Sequence, residues 1–251
     1  MKIEILGCSG SRWNRGNTTA FLINGNLLLD AGTATEVLTP ERCSHIRDII
    51  LTHPHLDHIY NLVFIAELAH ETLEGTFNIH STEATIDALR NNVFNDVLWL
   101  DITKLSDNMS FNKINAPGPF EAGEYTITPV PVNHSVPTVG YLVDDGHSVL
   151  AFAADTTSTE LFWEAVENRG GVKALIVEAS FPNRLKPLAA TSGHLTPELL
   201  ETELNKFDRT GIEVYVTHIK PRHRGEVISE LLELSSRIPL KILQDGMTIE
   251  I

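Results

Sequence analysis

Cysteine is nearly missing from this chain of 251 residues, which has only Cys8 and Cys43. Two thiols cannot build a disulfide framework or a thiolate-based zinc knot, and they suit a reducing compartment. Basic residues are scarce too. Nineteen lysines and arginines face 33 aspartates and glutamates, a net charge of −14. That balance counts against a broad nucleic-acid footprint, which normally needs a basic face. The apolar run inside Met-Lys-Ile-Glu-Ile-Leu-Gly at the start is too short for a signal peptide core or a membrane-crossing helix. The sequence therefore reads as soluble and cytoplasmic, without a membrane partner. Long polar tracts are absent as well, and with 42% apolar residues the chain can bury a sizeable core.

At about 150 residues per domain the length corresponds to fewer than two domains. We read 1–251 as one domain of two similar halves, 1–120 and 121–251 in round figures. Strand-like and helical runs alternate along it. Residues 1–6 read as a strand running into a glycine-rich turn, 19–23 and 26–30 as a hairpin around Gly25, and 48–52 as a short apolar strand. A helix over 59–69 follows, then a strand at 76–80 and a helix to residue 90 capped by Ser81 or Thr82. Residues 91–119 are less regular. The second series begins with a strand at 125–132 and a hairpin of 139–143 with 148–153. A capping box at Thr157-Ser-Thr-Glu160 precedes a helix over 161–168, and 174–178 is a buried-type strand. Thr196 and Pro197 start another helix. Strand 213–217, helix 225–234 and a terminal strand pair over 241–251 around Gly246 complete the series. This order predicts the α/β class, with two sheets face to face and helices outside, a four-layer αβ/βα sandwich.

Histidine is what the chain has in excess. There are eleven, and three crowd the stretch Leu51-Thr-His-Pro-His-Leu-Asp-His58. In an extended chain His53 and His55 point the same way, and Asp57 and His58 fall on the turn into the next helix. Neutral imidazoles and carboxylates are the ligands of borderline divalent metals. Four donors in six residues exceed what one turn can offer a single ion, so two adjacent ions are the natural reading. The bland alternative, a solvated histidine-rich loop, fits poorly with its place after an apolar strand, where α/β proteins carry their ligands. Similar donors recur in similar contexts: His134 after strand 125–132, Asp155 after 148–153, and His218 after 213–217. Each alone would be an ordinary turn residue; three beside the cluster point to the same metals.

These motifs, in this order, resemble the metallo-β-lactamase superfamily, and they span nearly the whole chain. The resemblance implies the four-layer fold of that superfamily and a binuclear site. One ion would be held by His53, His55 and His134, the other by Asp57, His58 and His218, with Asp155 bridging. Zinc is the expected metal, with manganese or iron as alternatives. Asp30, closing Leu-Leu-Leu-Asp-Ala-Gly, matches the family's first acidic motif, a carboxylate that fixes the tautomer and angle of a ligating histidine; a plain turn aspartate is the other reading.

Two further motifs select a branch. Val177-Glu178-Ala-Ser-Phe181 and Ser192-Gly-His194-Leu-Thr196 resemble the phosphodiesterase branch, where the histidine is thought to protonate the leaving oxygen and the glutamate to hold it. A carboxylate-oriented imidazolium is a suitable acid near pH 7. The segments 89–99, His134-Ser-Val-Pro-Thr-Val-Gly-Tyr, Ala154-Asp-Thr-Thr, Ser180-Phe-Pro-Asn and Thr217-His-Ile-Lys-Pro fit the class II cyclic-nucleotide phosphodiesterases, although Asn61 stands where a small residue is usual. The resemblance implies hydrolysis of cyclic AMP or cyclic GMP to the 5′-monophosphate. Two ions about 3.5–4 Å apart would share a hydroxide that attacks phosphorus in line. Asp57 would be both ligand and partner of the nucleophile, Glu178 would orient His194, and His194 would protonate O3′. The alternatives are a tRNA 3′-processing endoribonuclease, against which the acidic charge and the lack of a Gly/Lys-rich arm count, and a mononuclear iron oxygenase acting on a thiol or persulfide. Gly7-Cys-Ser-Gly-Ser11 is a candidate phosphate loop or a simple turn, and Lys220 a weaker anion site. Phe94, Trp99 and Phe181 are candidates for base contact or for core. His45, His70, His80, His147 and His223 lack a matching context. Family likeness makes a homodimer an expectation.

Overall fold

The computed structural model describes residues 1–14, 16–72, 75–104 and 106–251. Its first sheet collects β1 (Lys2–Gly7), β2 (Ala20–Ile23), β3 (Leu27–Leu29), β4 (Asp48–Ile50), β5 (Phe77–Ser81) and β6 (Met109–Lys113). The second collects β7 (Phe120–Ala122), β8 (Tyr125–Val132), β9 (Thr138–Asp144), β10 (Val149–Phe152), β11 (Val172–Glu178), β12 (Glu213–Thr217) and β13 (Lys241–Ile242). The last strand, β14 (Thr248–Glu250), returns to the first sheet beside β1. Each half opens with antiparallel pairing and continues in parallel: β3 to β6 run parallel, as do β10 to β13.

Three apolar clusters account for the layering. Ile5, Phe21, Leu29 and Ile50 of the first sheet meet Ile127, Tyr141, Phe152 and Ile176 of the second. Phe21 and Phe152 pack edge to face across that seam, with centroids 5.3 Å apart. The opposite face of the first sheet is covered by α3 (Leu62–Thr72) and α4 (Glu83–Asn92), which follow α1 (Pro40–Cys43) and α2 (Leu56–Ile59). The opposite face of the second is covered by α5 (Leu161–Arg169), α7 (Pro197–Leu204) and α8 (Arg224–Ser235), with α6 (Lys186–Ser192) near its edge. Four layers result, as the sequence predicts. Among the described residues no helix is long and apolar enough to cross a membrane.

The differences from the sequence reading have local causes. The helix expected over 59–69 begins at Leu62 as α3, and the turn expected at Asp57 and His58 is the short helix α2; the two are separate because the Asn61 N–H leaves the helix and donates to the carbonyls of Ala31 and Gly32. The capping box at 157–160 does not form. Glu160 is the cap residue without a side-chain bond, and the buried Glu203 carboxylate takes the Thr159 N–H and the Trp163 indole N–H instead. The terminal strands are not a pair. A turn at Gly246 carries the chain from one sheet to the other, held where Asp245 accepts the Cys8 and Asn17 N–H groups. Within 91–119 the chain forms β6 and a single turn of 3₁₀ helix at Ile102–Lys104. Phe94 is core, and Trp99 packs edge to face on Phe64.

Candidate metal centre

Parallel strands bring their C-terminal ends to one edge of a sheet, where loops are free to carry chemistry. Here both sheets present that edge to the same space. Asp30 follows β3, His53 follows β4, His134 follows β8, Asp155 follows β10, and His218 follows β12. His55 caps α2, which carries Asp57 and His58. The backbone is bent sharply at three of these strand ends, since Asp30, Ala154 and His218 have φ of +56°, +55° and +61°. Such left-handed residues cost about 1–3 kcal/mol each and collect at functional sites.

The seven donors converge. One ring nitrogen each from His53, His55 and His134 lie within 4.8 Å of one another, as do the donor atoms of Asp57, His58 and His218. Asp155 joins His53 and His58, one from each trio, in a third group of the same size. Its Oδ2 lies 3.3 Å from His218 Nε2, 3.4 Å from His58 Nε2, 3.8 Å from His53 Nε2 and 4.0 Å from His134 Nε2.

Whether these residues suit a cation is decided by their tautomers. The outward nitrogen of four of the five imidazoles is tied to the protein. His134 Nδ1 donates to the Gly193 carbonyl at 2.7 Å, and His58 Nδ1 to Asp30 at 2.7 Å. The Thr52 hydroxyl gives its only proton to Asp30 at 2.9 Å, so at 2.9 Å from His53 Nδ1 it accepts. Ser180 likewise donates to Glu178 at 2.6 Å and accepts from His218 Nδ1 at 2.9 Å. With Nδ1 protonated in all four, each ring in its neutral form turns an Nε2 lone pair inward. His53 Nε2 and His134 Nε2 then face His55 Nδ1 at 3.0 and 3.2 Å. Lone pairs this close repel one another unless a cation or a proton lies among them, and this donor set fits borderline divalent metals.

Two buried carboxylates set up this pattern in parallel fashion. Asp30 takes a hydroxyl (Thr52) and an imidazole (His58); Glu178 takes a hydroxyl (Ser180) and an imidazole (His194, Nδ1 at 2.8 Å). The N–H groups of Thr156 and Leu195 complete four donors on Glu178, as many as an ionised carboxylate accommodates. Thr52 and Ser180 carry no signal in the sequence beyond motif likeness, because a hydroxyl becomes informative only when its neighbours are known. Replacing Ser180 with alanine is expected to leave the His218 Nδ1–H without a partner. Affinity for the ion held by His218 should fall about 10–100-fold, read by competition with a chromophoric chelator, while the ion of the other trio stays bound.

Electrostatics follow the same geometry. Burial opposes ionisation of Asp155, yet the surrounding His218 and His58 hold its carboxyl far below the usual range. Burial also works against the charged form of His58, but Asp155 and Asp30 outweigh it and push this imidazole up. His53, desolvated and beside His58, is pushed down. Asp57 is also held low, with burial opposed by the His218 hydrogen bond; its side chain is 23% exposed, whereas that of Asp155 is 3% exposed. His194 is pushed up, because the Glu178 charge overcomes its burial. His194 Nδ1 lies 4.0 Å from Asp155, and His194 also groups with His134 and Asp155.

The other candidates separate clearly. The Gly7–Ser11 loop offers few N–H groups, since those of Cys8, Ser9 and Gly10 already donate to Asp245, Asn17 and Ile219. It braces His218 instead, whose N–H donates to the Cys8 carbonyl at 2.8 Å. Lys220 donates to the Gly10 carbonyl and lies 3.7 Å from Asp57. His80 pairs with the buried Asp48 at 2.8 Å and stacks on Phe120, and it joins none of the donor groups among the described residues. Phe181 flanks His194, with ring centroids 5.8 Å apart.

Comparison with known proteins agrees with this layout. The family model described as a beta-lactamase superfamily domain matches residues 25–219. A Saccharomyces cerevisiae protein named 3′,5′-cyclic-nucleotide phosphodiesterase 1 is 30% identical over 227 residues, covering 75% of this chain and 61% of the yeast protein. A ribonuclease Z of Thermosynechococcus vestitus is 30% identical over 122 residues, 47% of this chain and 29% of that protein. The chain thus spans about three-fifths of the yeast relative's length. The crystal structure of unliganded yeast PDE1 superposes with a TM-score of 0.84 at 22% identity, covering 100% of this chain and 99% of that one, which shows a shared fold. With a matching model over most of its length and the four layers that go with it, the chain belongs to the beta-lactamase superfamily.

Proposed function

We propose that the protein is a metal-dependent phosphodiesterase that opens the cyclic diester of a 3′,5′-cyclic nucleotide to the 5′-monophosphate. The observation that carries this reading is the buried Glu178–His194 pair, 2.8 Å apart, at the rim of the seven-donor cluster. A thiolate leaves a thioester without needing a proton, whereas an alkoxide leaving phosphorus calls for an acid. The similarity to proteins named as cyclic-nucleotide phosphodiesterases supports the same substrate.

His53, His55 and His134 would hold one divalent ion, Asp57, His58 and His218 the other, and Asp155 would be shared. When bound, such a pair supplies Lewis-acid neutralisation of phosphoryl oxygens and lowers the pKa of water toward neutrality. The protein's own groups do the rest. Asp57, the ligand carboxylate with solvent contact, accepts a hydrogen bond from the attacking water and aligns it. His194, kept protonated by Glu178, hands its Nε2 proton to the departing O3′. Glu178 holds the ring through Nδ1, which keeps its own proton, so the imidazole is neutral once Nε2 has given up its proton. A net charge of −14 repels a polyanion but not a small diester captured by cations. Buried free thiols at Cys8 and Cys43 suit a reducing cytoplasm.

A ribonuclease Z activity is the second reading, favoured by the 122-residue match. Incubating zinc- or manganese-loaded protein separately with cyclic AMP, cyclic GMP and precursor tRNA distinguishes the two. Release of 5′-monophosphate is the expected result, and cleavage of the tRNA alone would overturn the proposal. Metal analysis of the protein as purified, before any loading, separates both from a one-iron oxygenase.

A further inference from the structure

We infer that Trp13 and Phe181 form the two walls of a subsite for the nucleobase, on the His194 side of the metal centre. This rests on the cyclic-nucleotide reading and extends it to a place. Two adjoining clefts open at the mouth of the site and share Ser11 and Lys220. One lies over Asp57 and is walled by Leu56 and Tyr60. The other, about 570 Å³, is walled by Trp13, Phe181 and His223.

Substrate chemistry chooses between them. In a 3′,5′-cyclic nucleotide the departing O3′ and the base belong to one ribose, so the group that protonates O3′ stands next to that ribose. The base then lies one ring further out on the same side. Phe181 is the aromatic residue on that side, 5.8 Å from His194 and 6.0 Å from His223 between ring centroids. Leu56, Asp57 and Tyr60 line the other cleft, without an aromatic contact to His194 among the described residues.

Trp13 is built for display rather than packing. The residue is 72% exposed, unusual for the largest apolar side chain, yet its backbone is anchored. The Gly16 N–H donates to the Trp13 carbonyl at 2.7 Å, and Arg12 Nη1 donates to Gly16 O and Asn17 Oδ1 at 3.0 and 2.9 Å. An indole held out beside a cleft on an anchored backbone is a stacking platform. A cleft of this size also lies within the range of small-ligand sites.

The test compares cyclic AMP and cyclic GMP with bis(p-nitrophenyl) phosphate, a diester that carries no base, on zinc-loaded full-length protein. In Trp13→Ala the ratio of kcat/KM for cyclic nucleotide to that for the base-free diester should fall roughly 10- to 100-fold, mostly through KM. Trp13→Phe, which keeps an aromatic face, should recover most of it, and Phe181→Leu should lower it as well. An unchanged ratio in Trp13→Ala, with wild type active on cyclic nucleotide, would overturn the subsite and leave the activity standing. Wild type that cleaves the base-free diester and no cyclic nucleotide would overturn both.

Discussion

Replacing His194 with alanine is expected to lower cyclic-nucleotide turnover by about 10²–10⁴-fold while both metal ions remain bound. The expectation rests on how the ring is tied. Its Nδ1 belongs to Glu178 at 2.8 Å, so only Nε2 is available for chemistry, and the seven other donors already form two complete trios with a shared carboxylate. Two measurements check it. Elemental analysis after gel filtration should report two ions per chain in both proteins. A diester with a p-nitrophenolate leaving group needs little protonation, so its hydrolysis should suffer far less. If the variant loses an ion, His194 coordinates metal through the grouping with His134 and Asp155, and the acid must be sought elsewhere. Glu178→Gln should act in the same direction with a distinct signature. Glu178 raises the pKa of His194 against the effect of burial, so the proton is held to higher pH and activity is lost as pH rises through that raised value. Without the charge, the alkaline fall in rate should move to lower pH.

Much of the candidate donor cluster was legible because its members belong to residue types seldom gathered by chance, and because strand ends announce themselves in apolar runs. His53, His55, Asp57 and His58 are close in sequence, and the strand-end positions of His134, Asp155 and His218 needed only the alternation of strand and loop to be read. What remained hidden was relational. His58 and His218 are 160 residues apart, and their Nε2 atoms approach to 3.4 Å; no local pattern encodes that distance. Thr52 and Ser180 decide tautomers through single hydroxyls. The capping box at 157–160 obeyed its local rule and lost to a partner from α7, Glu203, whose carboxylate is buried where those donors point. The last two strands looked like a hairpin because their turn chemistry is that of one, yet each found a better edge in a different sheet. Tertiary competition for donors and sheet edges accounts for each of these departures.

Glycine at position 193 is where this competition is tightest, and Gly193→Ala is expected to disable the centre without touching a donor. Gly193 ends α6 in the left-handed conformation, with φ of +79°, which costs an alanine about 1–2 kcal/mol. The larger effect is steric. A Cβ there would lie 2.5 Å from His134 Nδ1 and 2.8 Å from the Ser135 nitrogen, and His134 cannot retreat without breaking its bond to the Gly193 carbonyl. One ligand of three would turn away, so the affinity of that trio should drop by about 10–100-fold or more, and turnover should drop with it. Gly25→Ala separates the two causes. Gly25 has φ of +84° with nothing within 4 Å of an added Cβ, so it carries the backbone cost alone and should keep its metals and its rate. Denaturant midpoints for the two variants, read beside their metal content, apportion the loss. Full metal content and full rate in Gly193→Ala would mean that His134 is not a ligand, and the first trio would have to be redrawn around His53, His55 and Asp155.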